Sequence, residues 1–483
     1  MSTHASKTRR RYLILTGAIV VTALITMSIT ALLINIMERK SEVTDHFAKV
    51  ANIDENVVDP AEWGKNFPLQ YESYLKTSEM GATTHGGSAK ESRQPDDKDP
   101  RTEVAKSRIE EDPRLKEMWA GYAFAVDYRE ARGHQYMLDD QRKTKRVTEF
   151  KQPGTCLNCH ASTVKLMNDL GNGNVDEGFK KMNKMSYKEV TQLAEHPVAC
   201  IDCHDPKTME LRVTRPAFIN GIRDLKASQG VKDFNVNRDA THEEMRSYVC
   251  GQCHVEYYFE GEDKTLTFPW AKGIEIDQIW DYYKENGHVD FVNAKTGADI
   301  VKAQHPEFDV WSNSIHAQNG VSCSDCHMPY ERHGAKKVSS HHLQSPLLNI
   351  NNSCMTCHNS SDEEMKQRVE QIQDRFIHSR DQAFDSLTAL IKDLEKAKDD
   401  PATPQDRLKL AREYQNKASF YLDYVYSENS NGFHAPDYTQ RIISDSLDAS
   451  RKGQLVLQGV DPKTLEPSGV TQKNKEAAKT RGH

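Results

Sequence analysis

Apolar positions in this chain fall into two organised regions, one at each end, and the long stretch between them has no sustained period. Residues 1–11 are polar and close on Lys7, Arg9, Arg10 and Arg11. Residues 12–37 are apolar apart from small or hydroxyl side chains and Asn35. About 20 apolar residues cross a bilayer as a helix, so this run predicts a membrane segment. A secretory signal peptide is the alternative, but its apolar part is shorter and ends at small residues. Here the candidate site near Ser28-Ile29-Thr30 is followed by more apolar chain at 32–36. We read an uncleaved anchor. On either reading the basic flank stays in the cytoplasm and the rest is exported.

At the other end, Met365, Val369, Ile372, Phe376, Phe384, Leu387, Leu390 and Leu394 recur mostly at three- and four-residue steps. That period predicts a long amphipathic helix over 361–399. Pro401 and Pro404 break it, and Pro404 suits the first turn of a second helix. The second helix runs to about Ser427 with Leu408, Leu410, Tyr414, Ala418, Tyr421 and Val425 on its apolar face. Gly432 and Pro436 mark a further break before a third helix over roughly 437–457. Helices this long form a bundle within a subunit or between two. Between the ends, residues 63–74 read as ordered packing along a domain surface. Residues 77–113, rich in Gly, Ser, Asp, Pro and charge, read as an exposed loop. From Trp119 to His358 helical runs are short and loops many. The chain therefore divides into a basic flank (1–11), an anchor or signal segment (12–37), a catalytic region (38–358), a long-helix region (359–460) and a tail from 461 to 483 that is predicted to be disordered.

Cysteine spacing supplies what periodicity does not. The ten cysteines form five pairs, Cys156/Cys159, Cys200/Cys203, Cys250/Cys253, Cys323/Cys326 and Cys354/Cys357, each separated by two residues. A histidine follows each pair: His160, His204, His254, His327 and His358. Two cysteines at this spacing form thioethers to one porphyrin, and the next histidine lies under its iron. Zinc knuckles use paired cysteines but do not require a histidine after every pair. No cysteine remains for a disulfide or a thiol nucleophile. The reading is five covalently bound haem c groups, attached outside the cytoplasm, which agrees with export.

Composition now makes sense. Only 37% of the 483 residues are hydrophobic and the mean hydropathy is −0.75, because porphyrins supply apolar core that side chains would otherwise provide. The fold class expected is mainly α: a multihaem cytochrome c with a haem-packed core and long C-terminal helices. With 64 basic against 71 acidic residues the chain lacks the basic excess that nucleic-acid binding needs. Each iron takes a second axial ligand where the haem only transfers electrons, and a haem without one is open to substrate. Spacing alone does not rank the remaining histidines, although His316, His341 and His342 lie close before motifs. The third motif runs on into Glu256 and Tyr257, which its spacing places at the edge of the same haem.

Residues 63–74, Trp119-Ala-Gly-Tyr122, Arg132-Gly-His134, residues 250–259, Phe268-Pro-Trp270, Lys302-Ala-Gln-His305 and Gly432-Phe-His434 carry a resemblance. With the order and spacing of the haem motifs, they make the chain similar to the ammonia-forming pentahaem cytochrome c nitrite reductases over nearly all of its exported part. The resemblance implies six-electron reduction of nitrite to ammonium at one open haem fed by four bis-histidine haems. It implies distal ligands His341 for the second haem (preferred to His342), His134 for the third, His434 for the fourth and His316 for the fifth. The first haem is then open, with Arg146 (preferred to Arg142), Tyr257 and His305 as catalytic residues. A calcium ion is implied at Glu256, Tyr257, Lys302 and Gln304, the second and third through backbone carbonyls, an oxygen-only set that suits calcium. A homodimer built on the long helices and a membrane-bound multihaem quinol dehydrogenase as electron donor are implied as partners. One departure stands out: the family typically has lysine where this chain has His160, and the implied consequence is a change in potential and substrate preference. Two other functions fit the residues. One is a reductase of hydroxylamine or sulfite at the same open haem, and the other a non-catalytic pentahaem electron carrier that recruits His305 as a ligand.

Overall fold

The hydroxyl of Ser361 caps the backbone N–H of Glu364, whose carboxylate returns to the Ser361 N–H at 2.9 Å. This reciprocal capping box starts the helix Asp362–Asp399 in a computed structural model of the chain. The structure describes residues 2–44, 49–89, 94, 95, 97, 101 and 104–469, with the side chains of the first helix described over 13–35. The 38 residues of Asp362–Asp399 extend about 57 Å. They are followed by the helices Gln405–Ser427 and Pro436–Leu457. Pro404 closes the turn before the second helix as its N-cap, with ψ 134°, one position earlier than expected. Pro436 does open the third helix, where its missing N–H costs nothing.

The three helices pack on one another within the chain. Leu390 and Leu394 of the first meet Leu408 and Ala411 of the second and Val456 of the third, all buried. Phe376, Phe384, Tyr421, Tyr424 and Ile442 continue into the main core with Trp119, Trp270 and Tyr283. The step at residue 359 is a change of element type, and one core runs across it. Strands among the described residues form three small antiparallel ribbons, of which Tyr258–Glu260 with Thr265–Thr267 lies next to the third motif. The remainder is short helix and loop, and the fold is mainly α.

At the N-terminus a helix covers Ser2–Thr44. Its segment Leu13–Asn35 has a mean hydropathy of 2.3 and is the one stretch among the described helices long and apolar enough to cross a membrane. Further on, Trp63 is buried with Ile53, Val164, Ala199 and Ile201, and the Tyr74 hydroxyl donates to the Val198 carbonyl at 3.0 Å. Residues 63–74 therefore pack against the second motif.

Two expectations need correction. The stretch 77–113 is not a uniformly exposed loop: Thr77, Ala89, Val104, Ala105 and Ile109 are buried. Main-chain bonds hold it to 128–131, with Ala89 N donating to Ala131 O at 2.7 Å and Arg108 N to Tyr128 O at 2.9 Å. Polar composition does not register such pairing. Residues 90–93, 96, 98–100, 102 and 103 lie outside the described residues. In the tail, Pro462–Leu465 forms a 3-10 helix whose Lys463 N–H is capped by Asp461, and Leu465 packs on the three-helix cluster. Residues 470–483 lie outside the described residues.

Candidate functional site

All ten motif cysteines line one continuous cavity of about 1980 Å³. A single small-molecule pocket is roughly 300–1,000 Å³, so this space suits several large groups side by side. The motifs adjoin one another. Cys159 lies beside Cys253, and Cys250 beside Cys323. Ser353, just before the fifth motif, donates to the Cys326 carbonyl of the fourth at 2.9 Å. The third motif thus sits between the first and the fourth.

Four of the five motif histidines face a second histidine across this cavity. Ring centroids are 6.1 Å apart for His254 and His134, and 6.2 Å for His204 and His341. They are 6.3 Å apart for His358 and His316, and for His327 and His434. Two imidazoles bound on opposite sides of one metal, each at about 2 Å, hold their centroids roughly 6 Å apart. The spacing therefore fits a haem iron between each pair. Local backbone sets up two of the partners. Gly133 has φ +109° just before His134, and Gly432 has φ +83° just before Phe433 and His434. A Cβ at Gly432 would lie 2.5 Å from Phe376.

The motif histidines are oriented from behind. His160 Nδ1 lies 3.0 Å from Met137 O, His204 Nδ1 2.9 Å from Met209 O, and His327 Nδ1 3.0 Å from Gln344 O. A carbonyl at Nδ1 fixes the proton there and leaves Nε2 free to ligate. His341 is held in the same way by Ser339 O at 2.9 Å. His342 does not line the cavity.

No such histidine pairing involves His160 among the described residues. Arg146, Tyr257 and His305 line the same cavity, Arg146 and His305 within electrostatic reach of His160 and Tyr257 within reach of Cys156 and Cys159. The Arg146 guanidinium lies over the Phe124 ring at 4.3 Å, its Nε donates to Thr144 Oγ1 at 3.3 Å, and it is within electrostatic reach of Cys156, His160 and Tyr257. Arg142 turns elsewhere and spends its donors on Thr191 Oγ1 (3.0 Å) and Ala194 O (2.8 Å). Burial pushes the Tyr257 phenol well above its ordinary range and lowers His305 to about 4. Both are therefore neutral at neutral pH.

Glu256 and Tyr257, which the spacing places at the edge of the third motif's haem, turn to different surroundings. They enter the strand Tyr258–Glu260, along which neighbours point to opposite sides. Tyr257 lies within electrostatic reach of Cys156 and Cys159, while Glu256 is fully buried beside Tyr283, Gln304 and Asp309. Its carboxylate accepts from Tyr283 Oη at 2.9 Å and from Gln304 N at 2.7 Å. Burial raises its pKa well above the carboxylate range, which marks a charge that a cation would stabilise. Gln304 Nε2 donates to the Lys302 carbonyl at 3.3 Å, so Glu256, Gln304 and that carbonyl are gathered within one hydrogen-bonded group. The Lys302 ammonium points away, 3.1 Å from Asp423 and over the faces of Trp119 and Phe124. No group of three or more His, Cys, Asp or Glu side chains poised for a metal occurs among the described residues.

Several residues around the motifs have no signal in the sequence. Asp202 and Asp325 occupy the same position in the second and fourth motifs, and each accepts the backbone N–H three residues earlier (2.8 and 2.7 Å). Each also meets a distant arginine at 2.8 Å, Arg215 and Arg246 respectively. Glu307 and Glu428 stand behind His254 and His434.

The cytochrome c552 family model matches residues 59–481. A cytochrome c-552 of Bacteroides thetaiotaomicron is 33% identical over 474 residues, covering 96% of this chain and 88% of its own length. A cytochrome c nitrite reductase subunit NrfA of Nitratidesulfovibrio vulgaris is 32% identical over 445 residues, covering 83% and 80%. Among solved structures, the cytochrome c nitrite reductase of Desulfovibrio desulfuricans superposes with a TM-score of 0.71 at 29% identity, over 87% of this chain and 92% of that one. The catalytic subunit in that structure has two calcium sites.

Proposed function

This chain belongs to the cytochrome c552 family, and from that premise we propose that it reduces nitrite to ammonium at the haem held by Cys156, Cys159 and His160. Five haem c groups are assigned, one per motif. His341, His134, His434 and His316 are the second axial ligands on motifs two to five. Four motif histidines each face another histidine at 6.1–6.3 Å, whereas no such partner faces His160 among the described residues, and Arg146 and His305 lie within electrostatic reach of it, with Tyr257 within reach of Cys156 and Cys159. That contrast carries the proposal.

Haems held by the five motifs would supply the coordination site for nitrite and relay to it, one at a time, the six electrons that the donor provides. The protein supplies charge and protons. Arg146, braced by Phe124 and Thr144, presents a permanent cation to the anion and to the charge that develops on it. His305 is neutral in the resting site. An anion beside it favours its protonated form, so a proton enters with nitrite and is held at the imidazole for the departing oxygen. Tyr257, kept as a phenol by burial, supplies a hydroxyl donor to the same space.

Calcium is assigned to the Glu256 carboxylate, the Tyr257 and Lys302 carbonyls and the Gln304 side chain. There it would balance the buried charge of Glu256 and raise the local potential for an anion. The proposal places the body of the chain outside the cytoplasm, with the N-terminal helix in the membrane. It includes a homodimer and a membrane-bound multihaem quinol dehydrogenase as donor.

The test is electron paramagnetic resonance of the oxidised holoprotein with and without nitrite, followed by determination of the product. One high-spin haem perturbed by nitrite, with ammonium as product, is expected. Five low-spin haems indifferent to nitrite would instead make the chain an electron carrier. An open haem that turns over hydroxylamine or sulfite and not nitrite would make it a related reductase.

A further inference from the structure

The axial histidines are not all backed alike. His160, His204, His327 and His341 place Nδ1 against neutral main-chain carbonyls. Two others place it against carboxylates. His434 Nδ1 is 2.7 Å from Glu428 Oε1, and His254 Nδ1 is 3.6 Å from Glu307 Oε2. Both acids are buried, Glu428 at 2% exposure and Glu307 at 8%, so their charges act on the rings with little screening.

The two acids belong to one assembly. Asn429, the residue after Glu428, donates its side-chain amide to Glu307 Oε1. Ser430 fixes Glu428 through its N–H at 3.0 Å and its hydroxyl at 2.7 Å, and the Ser430 hydroxyl also receives the His434 N–H at 2.9 Å. On the other side, Phe308 N donates to the His254 carbonyl at 2.9 Å. The end of the second C-terminal helix therefore joins an axial ligand of the third motif to one of the fourth. The same segment that carries His305 carries Glu307, two residues later.

We propose that Glu307 and Glu428 are paired positioning residues that lower the reduction potentials of the haems on the third and fourth motifs below those of haems backed by carbonyls. A buried negative charge beside each ring, 2.7 Å from Nδ1 at His434 and 3.6 Å at His254, favours the more positive, oxidised iron. In the step concerned one electron passes to iron, and no bond forms or breaks. The third and fourth motifs adjoin through Cys250 and Cys323, so two adjacent low-potential haems would pass electrons towards the first motif and not store them.

This tuning presupposes the ligand pairing proposed above, but not nitrite as substrate. It is tested on the holoprotein by potentiometric titration, with each haem followed by its resonance signal in the wild type and in Glu307→Gln, Glu428→Gln and the charge-conserving Glu428→Asp. Each glutamine variant is expected to raise the potential of its own haem most and leave the second and fifth unchanged. Glu428→Asp is expected to stay near wild type. Fully loaded glutamine variants with unshifted potentials would overturn the proposal. If a variant does not load its haem, the wild-type titration decides. Third and fourth haems that titrate below the second support the tuning, and third and fourth haems that titrate at or above it overturn it. Absence of low-spin bis-histidine signals from the wild type would overturn the pairing itself, and the tuning with it.

Discussion

The Arg215 guanidinium lies 2.8 Å from the Asp202 carboxylate, and each side chain is 2% exposed. Arg215 also donates to the carbonyl of Asn158, inside the first motif, at 3.0 Å and to that of Ala161 at 2.9 Å. One side chain thus ties the first motif to the second. Removing one partner of a buried pair costs about 3–5 kcal/mol, because the other charge is left uncompensated. Arg215→Met is therefore expected to lose that much stability, read as a fall in the denaturant midpoint of the holoprotein. Arg215→Met combined with Asp202→Leu is expected to regain a large part of it.

Arg146 and His305 are expected to fail in different ways. Arg146→Gln removes the fixed cation but leaves the proton donor, so binding weakens along with the chemical step, by about 100-fold or more in kcat/KM. His305→Gln keeps the anion site and removes the titrating group, so kcat falls by about 100- to 10,000-fold with a smaller change in KM. Steady-state kinetics with a reduced dye as donor separate the two. Equal changes in KM and kcat for both variants would contradict the division of roles.

The pH dependence of binding follows from His305. Burial lowers it to about 4 in the resting site, and an anion raises it again. Nitrite binding is then accompanied by proton uptake above that pH. Linkage gives the sign: apparent affinity rises as pH falls, by at most about tenfold per unit for one proton. Calorimetry in two buffers of different ionisation enthalpy counts the proton, and His305→Gln is expected to bring the count to zero.

The five attachment motifs are legible in the sequence for a chemical reason. Thioether attachment demands a fixed Cys-x-x-Cys-His spacing, so His254 and its four counterparts are readable from one local pattern. The long helices were legible because Leu387, Leu390 and Leu394 repeat with the helical period and are buried in fact. The histidines proposed as their partners had little local signal: His316 and His341 lie close before motifs, and the family likeness pointed to all four. His134 lies 120 residues before His254, and its place depends on the turn made by Gly133. Arg215, Glu307 and Glu428 were not legible at all. A charged residue reads as surface until the fold brings it to a partner such as Asp202, 13 residues away, or His254, 53 residues away in the chain. The misreading of 77–113 has the same cause: bonds from Ala89 and Arg108 to 128–131 bury a stretch whose composition is polar.

Calcium removal is the remaining test. Glu256 is fully buried, and its pKa is raised first by that burial and further by the neighbouring Asp309. A bound cation reverses both effects, so the carboxylate is charged with calcium and tends to take up a proton without it. Because Gln304 N and Tyr283 Oη both donate to this carboxylate, its protonation would disturb the segment that carries His305. Exhaustive chelation is therefore expected to lower nitrite affinity and kcat together. Calcium should restore both. Magnesium should not, since it demands a tighter octahedral shell than one carboxylate, two carbonyls and an amide provide. Glu256→Gln keeps the acceptor and removes the charge, and is expected to be slow from the outset and indifferent to chelator. Full activity in the chelated wild type, with calcium absent by elemental analysis, would remove the ion from the site.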